Sequence, residues 1–144
     1  MFSAKHLHTP MFRAKHLKVG KIGEQVAEKY LKQKGYIVIT KNYRQPWGEI
    51  DIVAMDSKKT LVFFEVKTIS GNVAELLPED NLTRAKLEKL KKICLFFANR
   101  NPGLVNEASG WRIDLLALSP KNRPLLTNKE NYFEIKHYQN IASS

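Results

Sequence analysis

The stretch GEIDIVAMDSKKTLVFFEVKT, residues 48–68, constrains the fold of this chain more than any other. It reads as two β-strands, 49–56 and 61–68, joined by the polar turn SKKT. The unbroken apolar run LVFF marks the second strand as covered on both faces. Such a strand belongs inside a sheet that has helices packed on either side. Asp51, Glu65 and Lys67 nevertheless interrupt these two strands. Charges inside a sheet are costly unless they are paired, bound to metal or used in chemistry.

The flanking sequence supplies the helices. From Gly20 to Lys34, Ile22, Val26, Ala27, Tyr30 and Leu31 recur on one side at helical spacing, with Lys21, Gln25, Lys29 and Lys32 on the other. Gly35 stops this helix as its C′ residue. Glu24 falls at the edge of the apolar arc and so looks along the sheet surface. YIVITKNYR (36–44) is a β-branched strand and QPWG (45–48) a turn. After a loop containing Gly71 and Pro78, a second helix runs from Asp80 or Asn81, the candidate N-caps, to Arg100. Its buried arc is Leu82, Leu87, Leu90, Ile93, Cys94, Phe97 and Ala98. WRIDLLALS (111–119) and NYFEIKHYQNI (131–141) are further strands. A three-strand meander followed by a helical crossover predicts an α/β fold, a mixed central sheet flanked by helices.

At 144 residues, positions 19–144 read as one domain, preceded by a basic, flexible arm over 1–18. That arm holds the near-repeat MFSAKHL and MFRAKHL; its histidines, without an anchoring fold, are not a metal site. The net charge of +10 favours polyanionic partners, nucleic acid ahead of an acidic membrane surface. The excess is patchy: residues 1–20 carry four lysines and arginines and no acid, and residues 81–100 carry six against Glu88 alone. Cys94, the only cysteine, excludes an intramolecular disulfide and a cysteine-based zinc site. With no membrane-spanning or signal-peptide run, the expectation is a cytoplasmic protein.

Strand alternation puts Glu65 and Lys67 on one face, with Val62, Phe64 and Val66 on the other. By the same rule Asp51 shares a face with Glu49, opposite Ile50 and Ile52. In an antiparallel hairpin those polar faces coincide, and Asp51, Glu65 and Lys67 fall within one side-chain reach. Two carboxylates brought together repel unless something positive lies between them. A hard divalent cation such as Mg²⁺ answers that need. Lys67 would then reach a metal-bound water or a scissile phosphate, and Glu24 could bring a third carboxylate. The bland alternative, a surface E-x-K salt bridge, fits poorly with the apolar residues around it.

GEQVAEKYLKQKGYIVITKNYR, GEIDIVA, FFEVKT and WRIDLLAL together resemble the YraN-type family of endonuclease-like bacterial proteins. More broadly they are similar to the PD-(D/E)xK nuclease superfamily, over about residues 20–141. The resemblance implies a restriction-endonuclease-like αβββαβ core and metal-assisted hydrolysis of phosphodiester bonds in DNA, structured or branched DNA included. It places Mg²⁺ or Mn²⁺ on Asp51, Glu65, the Val66 carbonyl and the helix-borne Glu24, with Lys67 beside them. Two departures stand out: Ile50 replaces the proline of the motif, and Ile69 stands where relatives often carry a basic residue.

For the substrate, Arg84, Lys91 and Lys92 lie outside the second helix's apolar arc and could grip phosphates. Lys86 falls inside that arc, where it either snorkels or reaches the carboxylates. Trp47, with Tyr43 and Arg44, could stack on a base or close the end of the sheet. Arg112 and Asp114 share a strand face and can pair. Resolution of branched DNA would require two active sites, hence a homodimer. The alternatives are a non-catalytic nucleic-acid-binding module that keeps the fold, or a protein whose basic faces meet acidic partners. A pure binder has no use for clustered acids that repel phosphate. Nothing resembles a Gly-rich phosphate loop of a small-molecule enzyme.

Overall fold

The computed structural model describes residues 10–69, 82–121 and 132–142, with the backbone alone for 10–18. The first copy of the near-repeat, the loop holding Gly71 and Pro78, and Asp80 and Asn81 lie outside the described residues. Helix α1 spans Pro10–Gln33, so it begins ten residues before the apolar pattern does. That pattern reports packing, and Val19 is the first described side chain set against the core. Residues 14–18, AKHLK, are mostly good helix formers and need no such support to continue the helix. At the other end Gly35 adopts φ +91°. Its N–H donates to the Lys32 carbonyl at 3.1 Å, and the Tyr36 N–H donates to that of Leu31 at 3.0 Å. This is the Schellman closure expected of a C′ glycine.

Strands β1 (Ile37–Gln45), β2 (Gly48–Met55) and β3 (Leu61–Thr68) follow as an antiparallel meander. Helix α2 (Arg84–Arg100) then crosses over, and a 3₁₀ turn (Pro102–Leu104) leads to β4 (Trp111–Pro120), which runs parallel to β3. Strand β5 (Phe133–Tyr138) pairs antiparallel with β4 and completes a sheet in chain order. The result is a mixed α/β architecture, consistent with a restriction-endonuclease-like fold. Helix α2 starts later than the sequence suggested. Thr83 caps it, its hydroxyl accepting from the Lys86 N–H at 3.2 Å. No helix among the described residues is long and apolar enough to cross a membrane.

The two helices cover opposite faces. Ile22, Val26, Ala27 and Leu31 of α1 pack on Ile52, Ala54, Val62 and Phe64. Leu90, Ile93, Cys94 and Phe97 of α2 pack on Val53, Leu61, Phe63 and Ile113. Strand β3 thus gives alternate side chains to the two cores, as its LVFF run requires, and each buried phenylalanine contributes roughly 1.5–3 kcal/mol. Gly23 lets α1 lie close to the end of β3: a Cβ there would collide with the Thr68 hydroxyl. Glu24, one residue on, lines the cleft beside Asp51.

Candidate active site where two strands part

The β2–β3 ladder runs from Met55↔Leu61 to Ile52↔Phe64 and stops. The next residues in that register are Asp51 and Glu65. On the other side, β1 and β2 pair at Lys41↔Ile52 and Tyr43↔Ile50 but skip Asn42 and Asp51. Asn42 has φ +52°, a left-handed residue that kinks β1 at this point. Asp51 therefore sits just past the end of the β2–β3 ladder and opposite the left-handed Asn42. The β1–β2 register is the same on either side of it and shifts only between Val38 and Thr40.

This irregularity corrects the simple alternation. Ile52 packs with the α1 core, but Ile50 packs with the α2 core beside Val53. The two isoleucines flanking Asp51 therefore face opposite sides of the sheet, contrary to the period-two expectation. On β3 the alternation holds: Val62, Phe64 and Val66 belong to the α1 side and Leu61 and Phe63 to the α2 side. Glu65 accordingly opens toward α2.

Two clefts result instead of one pocket. On the α1 side, a cleft of about 120 Å³ is lined by Asp51, Glu24, Lys21, Glu28, Lys41 and Asn42. On the α2 side, a cleft of about 160 Å³ is lined by Glu65, Glu49, Trp47, Lys86, Lys89 and Ile93. Asp51 and Glu65 join the two across the strand gap, near enough for the charge of Glu65 to push the Asp51 carboxyl up. One Asp51 oxygen accepts the Val66 N–H at 2.8 Å, a bond that stands in for the missing ladder. Lys67 Nζ lies 3.5 Å from Glu65 Oε1.

The electrostatics follow from this crowding. Burial first, then the charge of Glu65, pushes the Asp51 carboxyl up to about 7. The Val66 N–H opposes that shift, while Glu24 and Glu49 add to it. Glu65 is raised too: burial pushes it up, Lys67 opposes, and Glu49 adds to the rise. Burial, helped by Glu65, also pushes up the Cys94 thiol, in keeping with a core cysteine. Two half-buried acids whose carboxyls are both raised, with one ammonium at the side, form a donor set suited to a hard cation. Asp51, Glu65 and a backbone carbonyl would leave room for the several waters Mg²⁺ retains. Among the described residues no three His, Cys, Asp or Glu side chains close into a complete cage, so Glu24 stands beside Asp51 without finishing one.

The remaining sequence candidates divide between the faces. Trp47 and Lys86 reach the Glu65 cleft, so the lysine on the apolar arc points to the acids' side. Arg44 pairs with Glu49 at 3.4 Å. Arg84 and Lys92 are exposed on α2. Lys91 bonds Glu88 at 3.1 Å and lines a separate hollow with Leu95 and Trp111. Sequence reasoning missed Lys41 and Glu28, which pair at 2.7 Å in the wall of the Asp51 cleft; Lys21, exposed as its side of the helix implies, borders that cleft too. The one available signal was Asn42, a residue type that tolerates φ > 0 inside an otherwise β-branched strand.

The family model for "Uncharacterised protein family UPF0102" matches residues 23–118, from the α1 glycine through most of β4. The chain belongs to this family. A UPF0102 protein of Thermodesulfovibrio yellowstonii is 32% identical over 73% of this chain and 88% of its own length. One from Carboxydothermus hydrogenoformans is 33% identical over 85% and 93%, and one from Thermotoga petrophila 38% over 70% and 86%. Among solved structures, Pyrococcus furiosus SfsA in complex with Ca²⁺ aligns with a TM-score of 0.37 and 18% identity. That alignment covers 86% of this chain and 63% of SfsA, a likeness too distant to carry weight. The match to UPF0102 bears out the YraN-type resemblance on the strands that hold Asp51, Glu65 and Lys67.

Proposed function

We propose that this protein is a metal-dependent nuclease that hydrolyses phosphodiester bonds in DNA, structured or branched DNA included. The observation that carries this reading is the Asp51–Glu65 pair at the strand gap, two acids drawn together with Lys67 alongside. Asp51, Glu65 and the Val66 carbonyl would hold Mg²⁺ or Mn²⁺, with Glu24 approaching from α1. The ion, when bound, would polarise the phosphate and lower the pKa of its water. Lys67 orients the attacking water and offsets charge developing on the phosphate. In this reading it acts as a hydrogen-bond donor to that water and not as a general base. The Val66 N–H keeps Asp51 from rotating out of the gap. Arg44, Arg84, Lys86, Lys91 and Lys92 offer cations for phosphates along the α2 side, and two copies of the chain would supply the paired sites that a branched substrate requires.

The test is cleavage of single-stranded, duplex, flap and four-way DNA with Mg²⁺ and Mn²⁺. Asp51→Ala and Glu65→Ala should abolish cutting, and Lys67→Ala should slow it by about 10²-fold. Cutting that survives all three substitutions contradicts the proposal. DNA binding without cutting by the intact protein assigns it instead to the non-catalytic binding class.

A further inference from the structure

The α2-side cleft has a feature that metal chemistry does not require. Trp47, in the β1–β2 turn, is 46% exposed although it lines the same cleft as Glu65. Its indole is held by Phe96 in a perpendicular contact, with centroids 5.3 Å apart and planes at 88°. Phe96 is in turn covered by the Arg100 guanidinium at 4.5 Å. A perpendicular contact occupies at most one face of the indole, so Phe96 leaves at least one face free while limiting the ring's rotation. Lys86 and Lys89, both exposed, border the same cleft. Its acids are partly offset, Glu49 by Arg44 at 3.4 Å and Glu65 by Lys67 at 3.5 Å.

We infer that the cleft between Trp47 and Glu65 takes an unpaired nucleotide of a nucleic-acid strand, the base stacked on the free face of Trp47 and its phosphate held by Lys86 and Lys89. This rests on the reading of Glu65 as part of a nucleic-acid site. A fixed, half-exposed indole flanked by cations is the combination that binds single strands: stacking supplies about 1–3 kcal/mol per base and cations follow the backbone. A duplex cannot use it without loss. Its bases already stack on both sides, and extracting one costs a few kcal/mol, about as much as the stack returns. The site therefore discriminates in favour of single strands and of unpaired positions at ends, flaps or junctions.

The test titrates the full chain, with EDTA present so that nothing is cut, with a short oligothymidylate and with a duplex of equal length. Binding is followed by anisotropy of labelled DNA and by indole emission. Trp47→Phe serves as the blank for Trp111, the other tryptophan. The oligothymidylate should quench Trp47 emission. Trp47→Ala should weaken single-strand binding by about tenfold, Trp47→Phe by much less, and duplex binding should change less than twofold in either. Equal single-strand affinity in all three proteins, or equal losses for single strand and duplex, overturns the inference. Mg²⁺- and Mn²⁺-dependent cleavage on the same preparations separates the two claims. If the intact protein cuts no DNA but Trp47→Ala still loses single-strand affinity, the nuclease reading fails and the stacking site stands. If cutting depends on Asp51 but Trp47→Ala binds single strands normally, the nuclease reading stands and the stacking site fails.

Discussion

Asp51 and Asp114 are aspartates in the interior of one sheet, and their surroundings could hardly differ more. Asp114 on β4 is fully buried, yet every direction of its carboxylate is occupied. Arg112 Nε donates to its two oxygens at 3.1 and 3.2 Å, the Asn140 N–H donates at 2.8 Å, and His137 Nε2 lies 2.8 Å away. The same arginine reaches Asp56 at 3.0 Å and the Tyr36 hydroxyl at 3.1 Å. Asp56 responds as a compensated acid: burial pushes its carboxyl up, but the Thr60 N–H and Arg112 outweigh it and bring it down. Asp51 is less buried, accepts one backbone N–H and feels the charges of Glu65, Glu24 and Glu49, although Lys21 and Lys41 line the same cleft. Burial alone therefore does not mark chemistry. An acid whose charge the fold leaves uncompensated does.

The contrast can be broken most forcefully at Arg112. Arg112→Ala should leave Asp114 buried without its cation, costing about 3–5 kcal/mol, or a fall of about 10 °C in Tm by thermal denaturation. A loss under 1 kcal/mol would mean that His137 and Asn140 suffice.

At Asp51 the sign reverses. The folded-state pKa of about 7 lies above the ordinary 3.8, so the folded form binds the proton more tightly. Stability is then lost as pH rises from about 4 to about 7 and levels off above that. Asp51→Asn, which keeps an acceptor for the Val66 N–H, should stabilise the metal-free protein by roughly 2 kcal/mol at pH 8 and by clearly less at pH 5. Chemical denaturation at the two pH values measures the difference. A destabilised variant at pH 8 would mean that the Asp51 charge is compensated after all.

The smallest effect belongs to Glu28, which joins Lys32 and Lys41 at the wall of the Asp51 cleft. These pairs bring its carboxyl down, with Lys41 first. Glu28→Gln should cost under about 1 kcal/mol, as ion pairs at a protein surface do. A larger loss would place Glu28 with the Asp114 network as a structural acid.

Much of this arrangement is legible in the residues alone. LVFF announced a strand buried on both faces, Gly35 a helix end, and the arc from Leu82 to Ala98 the helix that covers the second face. The five strands and their mixed order follow from those signals. The local geometry at Asp51 was not legible. Alternation would set Ile50 and Ile52 side by side, and only the parting of β2 from β3 and the left-handed turn at Asn42 undo it. The single pocket expected for four residues is thus two clefts joined by a pair of acids. Of the Asp114 network only the Arg112–Asp114 pair was legible; Tyr36, Asp56, and His137 with Asn140 reach it from three other places in the chain. Thr83, two residues past the nearest expected cap, shows that a polar run offers several possible helix starts and the backbone chooses among them.

The central claim is that Asp51 and Glu65 serve one cation jointly. Isothermal titration of Mn²⁺ into the intact protein, Asp51→Ala and Glu65→Ala, each first shown to be folded by circular dichroism, tests it most directly. The account predicts one site in the intact protein that is lost in both variants. Binding of Mn²⁺ with unchanged affinity and stoichiometry in either variant would contradict it.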